Sequence, residues 1–291
     1  MIEKTITLDL PPVSFEIPKT FDDLVSGGPS SLGLSTISSY LSCPEAARLK
    51  SLGVRRKGGN KIDENGIWVI KEDPLAYGSY IHALRAIRLV YGQSAAMDAI
   101  NFYDVDEASK MSARHIFKIY DNLFPLGSDP WEILGVEVEV VSEVAPGIIR
   151  TVRYDTVVRA PDGAVFSFEC KTSSRGGKSA LLQYTPQRFA HSALWNANPN
   201  LPKKYGAMRG SIYDLIVKSE VPDIKRLGPE YVSKLQQSRI LEYLALPDRI
   251  GYPAMSDGAA TRLMHTCWGR YSCPYTNGCF ENAWGDYEIT Q

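Results

Sequence analysis

The sequence contains no run approaching the roughly 18 consecutive apolar residues that a membrane-spanning helix requires, so no such helix is expected. Its first residues, MIEKTITLDLPPVSFEIPK, lack the basic start and apolar centre of a secretory signal, and a cytoplasmic location is expected. Neither acidic nor basic residues are in marked excess. The formal net charge of −1 leaves no basic footprint over the whole molecule, so nucleic-acid binding would need local patches such as RRKGGNK at 55–61, with Arg55 and Arg56 as candidate DNA contacts. No internal repeat is present. Histidine is scarce, with His82, His115, His191 and His265 making up the full set of four.

What is present suits a folded enzyme. A chain of 291 residues with 44% hydrophobic content can bury a sizeable core in one large or two small domains. Five cysteines occur, and three of them, Cys267, Cys273 and Cys279, fall within CWGRYSCPYTNGC. In a cytosolic chain such clustering points to metal before disulfide. Cys170 sits on the apolar face of a strand and reads as core, which leaves Cys43 and the late three. Four thiolates suit zinc or an iron–sulfur cluster.

Residues 1–34 are rich in Pro, Gly and Ser and read as an arm with at most one strand, TITLDL. STISSYLSCPEAARLKSLG, from Ser35, reads as one or two helices with Gly53 as the stop. Asp73 and Pro74 open a clear helix with apolar positions at helical spacing up to Gly92, and helical pattern continues to about residue 123. Three strands follow, EILGVEVEVVSE, GIIRTVRYDTVVRA and AVFSFECKT. A helix over about 179–196, a strand SIYDLIVKS and a helix over about 229–245 complete the pattern. The expectation is a single α/β domain over 35–291, with a helical lobe at about 74–125, a core at about 131–218 and a cysteine segment at 267–279.

The chemistry concentrates in VFSFECKTSS, residues 165–174. Strand alternation puts Glu169 and Lys171 on one face with Val165 and Ser167, and Phe166, Phe168 and Cys170 on the other. The preceding PDG, residues 161–163, reads as a three-residue hairpin loop with Gly163 in the left-handed position. Ala160 then pairs with Ala164, and Asp155 stands across from Glu169. A two-residue turn would send the acids to opposite faces. Two close carboxylates repel unless a cation lies between them, and Mg²⁺ or Mn²⁺ prefers such oxygens. With Lys171 beside them, this is a set suited to phosphodiester hydrolysis. Glu137 and Glu139 alternate with valines in GVEVEV and read mainly as an exposed strand face.

RYDTVVRAPDGAVFSFECKT resembles the D…ExK core of the PD-(D/E)xK nuclease superfamily, in its RecB-like branch. GSYIH is similar to that branch's G-x-x-x-H helix, and QRFAH to its Q-x-x-x-Y helix with His191 at the tyrosine position. STISSYLSCPEA and CPYTNGC resemble the cysteine segments of the iron–sulfur members, which include CRISPR-associated exonucleases and the AddB nuclease domain. The resemblance covers roughly residues 35–283 and rests on five ordered elements. It implies a restriction-endonuclease-like mixed central sheet flanked by helices, with a cysteine cluster joining the N- and C-terminal parts. It further implies Asp155, Glu169 and His82 as Mg²⁺ or Mn²⁺ ligands, Lys171 as the catalytic lysine, and Gln187 as a residue positioning the site or the DNA. Cys43, Cys267, Cys273 and Cys279 would hold a [4Fe–4S] cluster. Here the C-x5-C-x5-C spacing departs from the usual C-x2-C-x5-C and keeps zinc as an alternative, with His265 as a substitute ligand. TVRY replaces the small residues usual before the aspartate.

The expected function is a metal-dependent DNA exonuclease acting on ends or single strands in recombination, repair or replication. Alternatives are a nuclease that trims DNA for CRISPR adaptation, and a non-catalytic DNA-binding or scaffold module. His191 is a candidate DNA contact, and nothing singles out His115.

Overall fold

A computed structural model describes residues 54–56, 63–67, 69–70, 74–173, 186–218, 222–249 and 287–289. The arm at 1–34, the helices expected over 35–53, the first part of the helix expected from 179, and the cysteine segment at 267–279 lie outside these residues. Two short strands, β1 (Val54–Arg56) and β7 (Tyr287–Ile289), pair antiparallel, with Arg55 opposite Glu288 and Arg56 opposite Tyr287.

The expected helical lobe is three helices, α1 (Pro74–Tyr91), α2 (Gln93–Phe102) and α3 (Glu107–Leu123). Gly92, at φ +95°, takes a left-handed conformation and ends α1. Asp106 caps α3 by accepting from the Ser109 amide at 2.9 Å. The remaining elements are β2 (Glu132–Ala145), β3 (Ile148–Arg159), β4 (Val165–Ser173), α4 (Pro186–Ala197), α5 (Leu201–Tyr205), β5 (Met208–Val217), β6 (Asp223–Tyr231) and α6 (Lys234–Arg249).

β2 to β6 form one mixed sheet in sequence order. β2, β3 and β4 run antiparallel, α4 and α5 connect β4 to a parallel β5, and β6 returns antiparallel at the edge. Helices cover both faces. On one, Cys170, Ile216 and Ile224 pack with Tyr77, Tyr80, Ile81, Leu84 and Ile87 of α1 and with α2 and α3. On the other, Val138, Val140, Val152, Val157 and Val165 pack with Ala190, Leu194 and Trp195 of α4 and with Ile240 and Leu244 of α6. Among the described residues no helix is long and apolar enough to cross a membrane.

One buried carboxylate ties the first layer to the sheet. Asp214 of β5, fully buried, accepts from Arg226 Nε of β6 at 2.7 Å and from the Tyr120 hydroxyl of α3. Arg85 of α1 lies 3.8 Å from Asp214, and donates to Tyr120 Oη and to Thr156 Oγ1 of β3, both at 3.1 Å. Arg226 also stacks over Phe124, 3.7 Å from its ring centre.

Two expectations change. The strand expected at 211–219 runs from Met208 to Val217, and residues 223–231, which carried no strand expectation, form β6. β6 is an edge strand with few buried side chains, so it lacks the apolar run that marks a central strand, and Gly228 and Pro229 mask it further. The helix expected from 229 starts instead at Lys234. Ser233 Oγ accepts from the Gln236 amide at 3.2 Å while Gln236 Oε1 accepts from the Ser233 amide at 2.9 Å, a reciprocal cap written in the sequence as S-x-x-Q. Replacing Ser233 with Ala should cost about 1 kcal/mol of unfolding free energy, measured by urea denaturation, with no change in the slope m.

Candidate active site

The hairpin of β3 and β4 builds the centre of the site. Gly163 sits at φ +80°, the Ala160 amide donates to Ala164 O at 2.8 Å, and the ladder pairs Arg159 with Val165, Val158 with Phe166 and Val157 with Ser167. The three-residue loop is therefore the one the sequence indicated. Its regular pairing does not reach Asp155, whose side chain turns to His82 of α1 while Glu169 turns to α4. The ladder itself stops at Val157 and Ser167. Beyond it the Cys170 amide donates to Asp155 Oδ2 at 2.8 Å, so a side chain takes the place of a ladder carbonyl. Cys170 points the other way into the core, and burial pushes its thiol up to about 12, which keeps it protonated and outside the chemistry.

Glu169 has no exposed surface. Its Oε2 lies 3.9 Å from Lys171 Nζ and accepts from Gln187 Nε2 of α4 at 3.4 Å. His191, one turn further along α4 and also buried, places Nδ1 3.2 Å from both Glu169 Oε1 and Ser167 Oγ. The contact to Oε1 makes no hydrogen bond, so a buried carboxylate oxygen is left without a donor. His191 thus stands behind the acid, away from the surface expected of a DNA contact. Its backbone oxygen also accepts from the Tyr154 hydroxyl at 2.8 Å.

The opposite helical layer supplies His82. Its Nδ1 is 3.4 Å from Asp155 Oδ2, and the two side chains are 27% and 16% exposed. Gly78, one turn earlier, explains the approach: a Cβ there would stand 3.3 Å from Thr172 Oγ1, so the missing side chain lets α1 close on the end of β4.

Glu137 joins these residues, contrary to the exposed face expected of it. It lies on β2 between the pairs Val136–Thr156 and Val138–Tyr154, which sets it across from Asp155. Glu137 and Asp155 are therefore neighbours on adjacent strands. Only 14% of the Glu137 side chain is exposed, its Oε2 accepts from Arg153 Nε at 2.7 Å, and its backbone adopts φ +52°, rare for a residue with a side chain. Glu139 is exposed as expected.

These charges shift one another. Burial would raise Asp155, but His82, Lys171 and the Cys170 amide outweigh it and hold its carboxyl well below the usual range. Burial would lower Lys171, yet Asp155 and Glu169 favour its charged form and raise it. Glu137 is pushed up to about 7 by burial and by Asp155, against Arg153 and His82.

The structure brings together Asp155, Glu169, Lys171, Gln187, His82 and His191, and adds Glu137 and Arg153. Arg55 and Arg56 lie on β1; Cys43, Cys267, Cys273, Cys279 and His265 fall outside the described residues. His115 is exposed on α3. Among the described residues no three His, Cys, Asp or Glu side chains converge closely enough to enclose a metal ion. The donors nevertheless suit a hard cation. Mg²⁺ keeps several waters and is held through one or two carboxylates, and the Glu169 oxygen without a donor is of that kind.

These features define an α/β protein with a mixed five-stranded sheet and an acid–acid–lysine site where its hairpin strands part. No family model matches the chain, and no match was found among curated proteins. Among solved structures, a Eubacterium rectale protein provisionally named an exonuclease is 14% identical, over 79% of this chain and 84% of that one, with a TM-score of 0.45. The protein SSO0001 is 15% identical, over 90% of this chain and 92% of that one, with a TM-score of 0.40.

The raised Glu137 carboxyl makes stability depend on pH. Its folded state favours the proton, so its contribution is complete below the unfolded value near 4.5 and is lost as pH rises through about 7. In EDTA, Glu137→Gln should therefore melt at a higher temperature than wild type at pH 8, with the gap closing by pH 5. An equal gap at both values would show that Glu137 is not strained by its neighbours.

Proposed function

We propose that this chain is a metal-dependent deoxyribonuclease with a restriction-endonuclease-like fold, acting as an exonuclease on DNA ends or single strands. The observation that carries this reading is an enclosed Glu169, one of whose oxygens lacks a donor, beside a Lys171 that Asp155 and Glu169 together favour in its charged form. A structural salt bridge would use both oxygens of so deeply buried an acid.

Asp155, Glu169 and His82, which do not converge on one point in this structure, would have to draw together to hold Mg²⁺ or Mn²⁺, which when bound polarises a phosphodiester and makes water more acidic. Lys171, which is 28% exposed, reaches solvent and offsets negative charge that grows on the phosphate as water adds and the P–O bond breaks. Gln187 fixes the Glu169 carboxylate through Oε2, and His191 walls it in from behind. The Asp155 carboxylate, kept ionised by its neighbours, stays available as an oxygen donor at neutral pH.

With end-labelled single- and double-stranded DNA and Mg²⁺ or Mn²⁺, wild-type protein should shorten the strands. Asp155→Ala, Glu169→Ala and Lys171→Ala should each lose at least about 100-fold in rate while remaining folded. Wild-type rates from purified Lys171→Ala would overturn the assignment.

The proposal extends to a [4Fe–4S] cluster held by Cys43, Cys267, Cys273 and Cys279. The pairing of β1 with β7 supports it, because it joins the segments that follow Cys43 and Cys279. Such a cluster would close a loop of more than 200 residues and act on stability before chemistry. Protein purified without oxygen should be brown and carry roughly four irons per chain. Colourless protein with one zinc would replace the cluster by a zinc site.

A further inference from the structure

Building on the nuclease reading, we infer that Arg153 grips the DNA strand at the phosphate next to the one being cut, and that Glu137 is the residue that positions it. Three observations lead there. Arg153 lies two residues before Asp155 on β3, so the two share a face and stand about 7 Å apart along the strand. That separation is comparable to the step between successive phosphates of an extended nucleic-acid strand. Its side chain is 56% exposed although it borders the largely enclosed Glu137.

The third observation is how its guanidinium is held. Glu137 accepts from Nε at 2.7 Å, and the terminal nitrogens have no hydrogen-bond partner among the described residues. An arginine held by Nε keeps its outer fork, the part that matches phosphate oxygens. The other arginines near the sheet are committed elsewhere. Arg226 binds Asp214, Arg85 lies against Asp214 and donates to Tyr120 and Thr156, Arg150 binds Leu244 O and Asp248, and Arg159 and Arg209 pair with Glu132 and Asp162 towards the turn of the β3–β4 hairpin.

Electrostatics requires such a group. Glu137 and Asp155 stand together beside Arg153, and a polyanion approaching them meets their negative charge. A cation at the rim lowers that barrier and orients the strand before chemistry. Because a phosphate grip reads no base, the strand would be held without regard to sequence.

The test uses the full chain with Lys171→Ala as a non-cleaving background, and a fluorescent single-stranded oligonucleotide whose anisotropy is followed across salt concentrations. Adding Arg153→Gln should weaken binding roughly 5- to 10-fold and reduce the slope of log K against log salt by about 0.7, the loss of one phosphate contact on a single strand. Arg153→Lys should keep the slope while binding more weakly than arginine, because it retains charge without the fork. Glu137→Gln should weaken binding by less than Arg153→Gln. With Lys171 restored, Arg153→Gln should raise KM more than it lowers kcat. If the strand is bound and cut but folded Arg153→Gln matches its parent in affinity and slope, this inference falls alone. If the Lys171→Ala protein binds no strand and wild type cuts none, the nuclease reading falls with it.

Discussion

The bond from the Cys170 amide to the Asp155 carboxylate is the constraint on which the site depends. It comes where two antiparallel strands stop exchanging main-chain hydrogen bonds, and it satisfies an amide that would otherwise be orphaned at that opening. Because the Cys170 side chain is locked into the apolar cluster beneath α1, the donor amide cannot drift. An acid is thereby held by the main chain of its neighbour, while the next residue back, Glu169, projects to the opposite face.

This geometry explains why the two helical layers bring different chemistry. From one face α1 offers an imidazole to Asp155; from the other α4 offers an amide and a second imidazole to Glu169. A sheet covered on both faces normally buries only apolar side chains. Here the charges gather where β3 and β4 stop pairing, so polar groups are enclosed beside the packed cluster of Trp195, Leu194 and Val157.

Much of this was legible because it is local. PDG dictates a loop length, and the loop dictates the register that pairs Val157 with Ser167; past that point Asp155 turns to α1 and Glu169 to α4, which no turn residue encodes. Gly78 and His82 are one helical turn apart and need only a helix to share a side. Glu137 was hidden for a physical reason. Counting back from the turn at Pro146 and Gly147, with Ala145 opposite Ile148, sets Glu137 across from Thr156, on the wrong face. A bulge between Glu143 and Ala145 shifts the register by one and sets it across from Asp155. Nothing in a run of alternating valines and glutamates announces that bulge. β6 was hidden by its position at an edge, where burial leaves little pattern.

The Asp214 cluster on the first helical face looks remote from these acids, yet it sets where α1 sits. Arg85 is three residues from His82 on the same helix, and its contacts to Tyr120, Thr156 and Asp214 fix the helix in both rotation and advance along its axis. A helix couples those motions like a screw thread: one residue of slip turns every side chain by roughly 100°. The imidazole therefore cannot be tuned independently of the buried carboxylate behind it. Substitutions at Asp214 would reach His82 and Asp155 as changes of alignment, although Asp214 makes no contact with either.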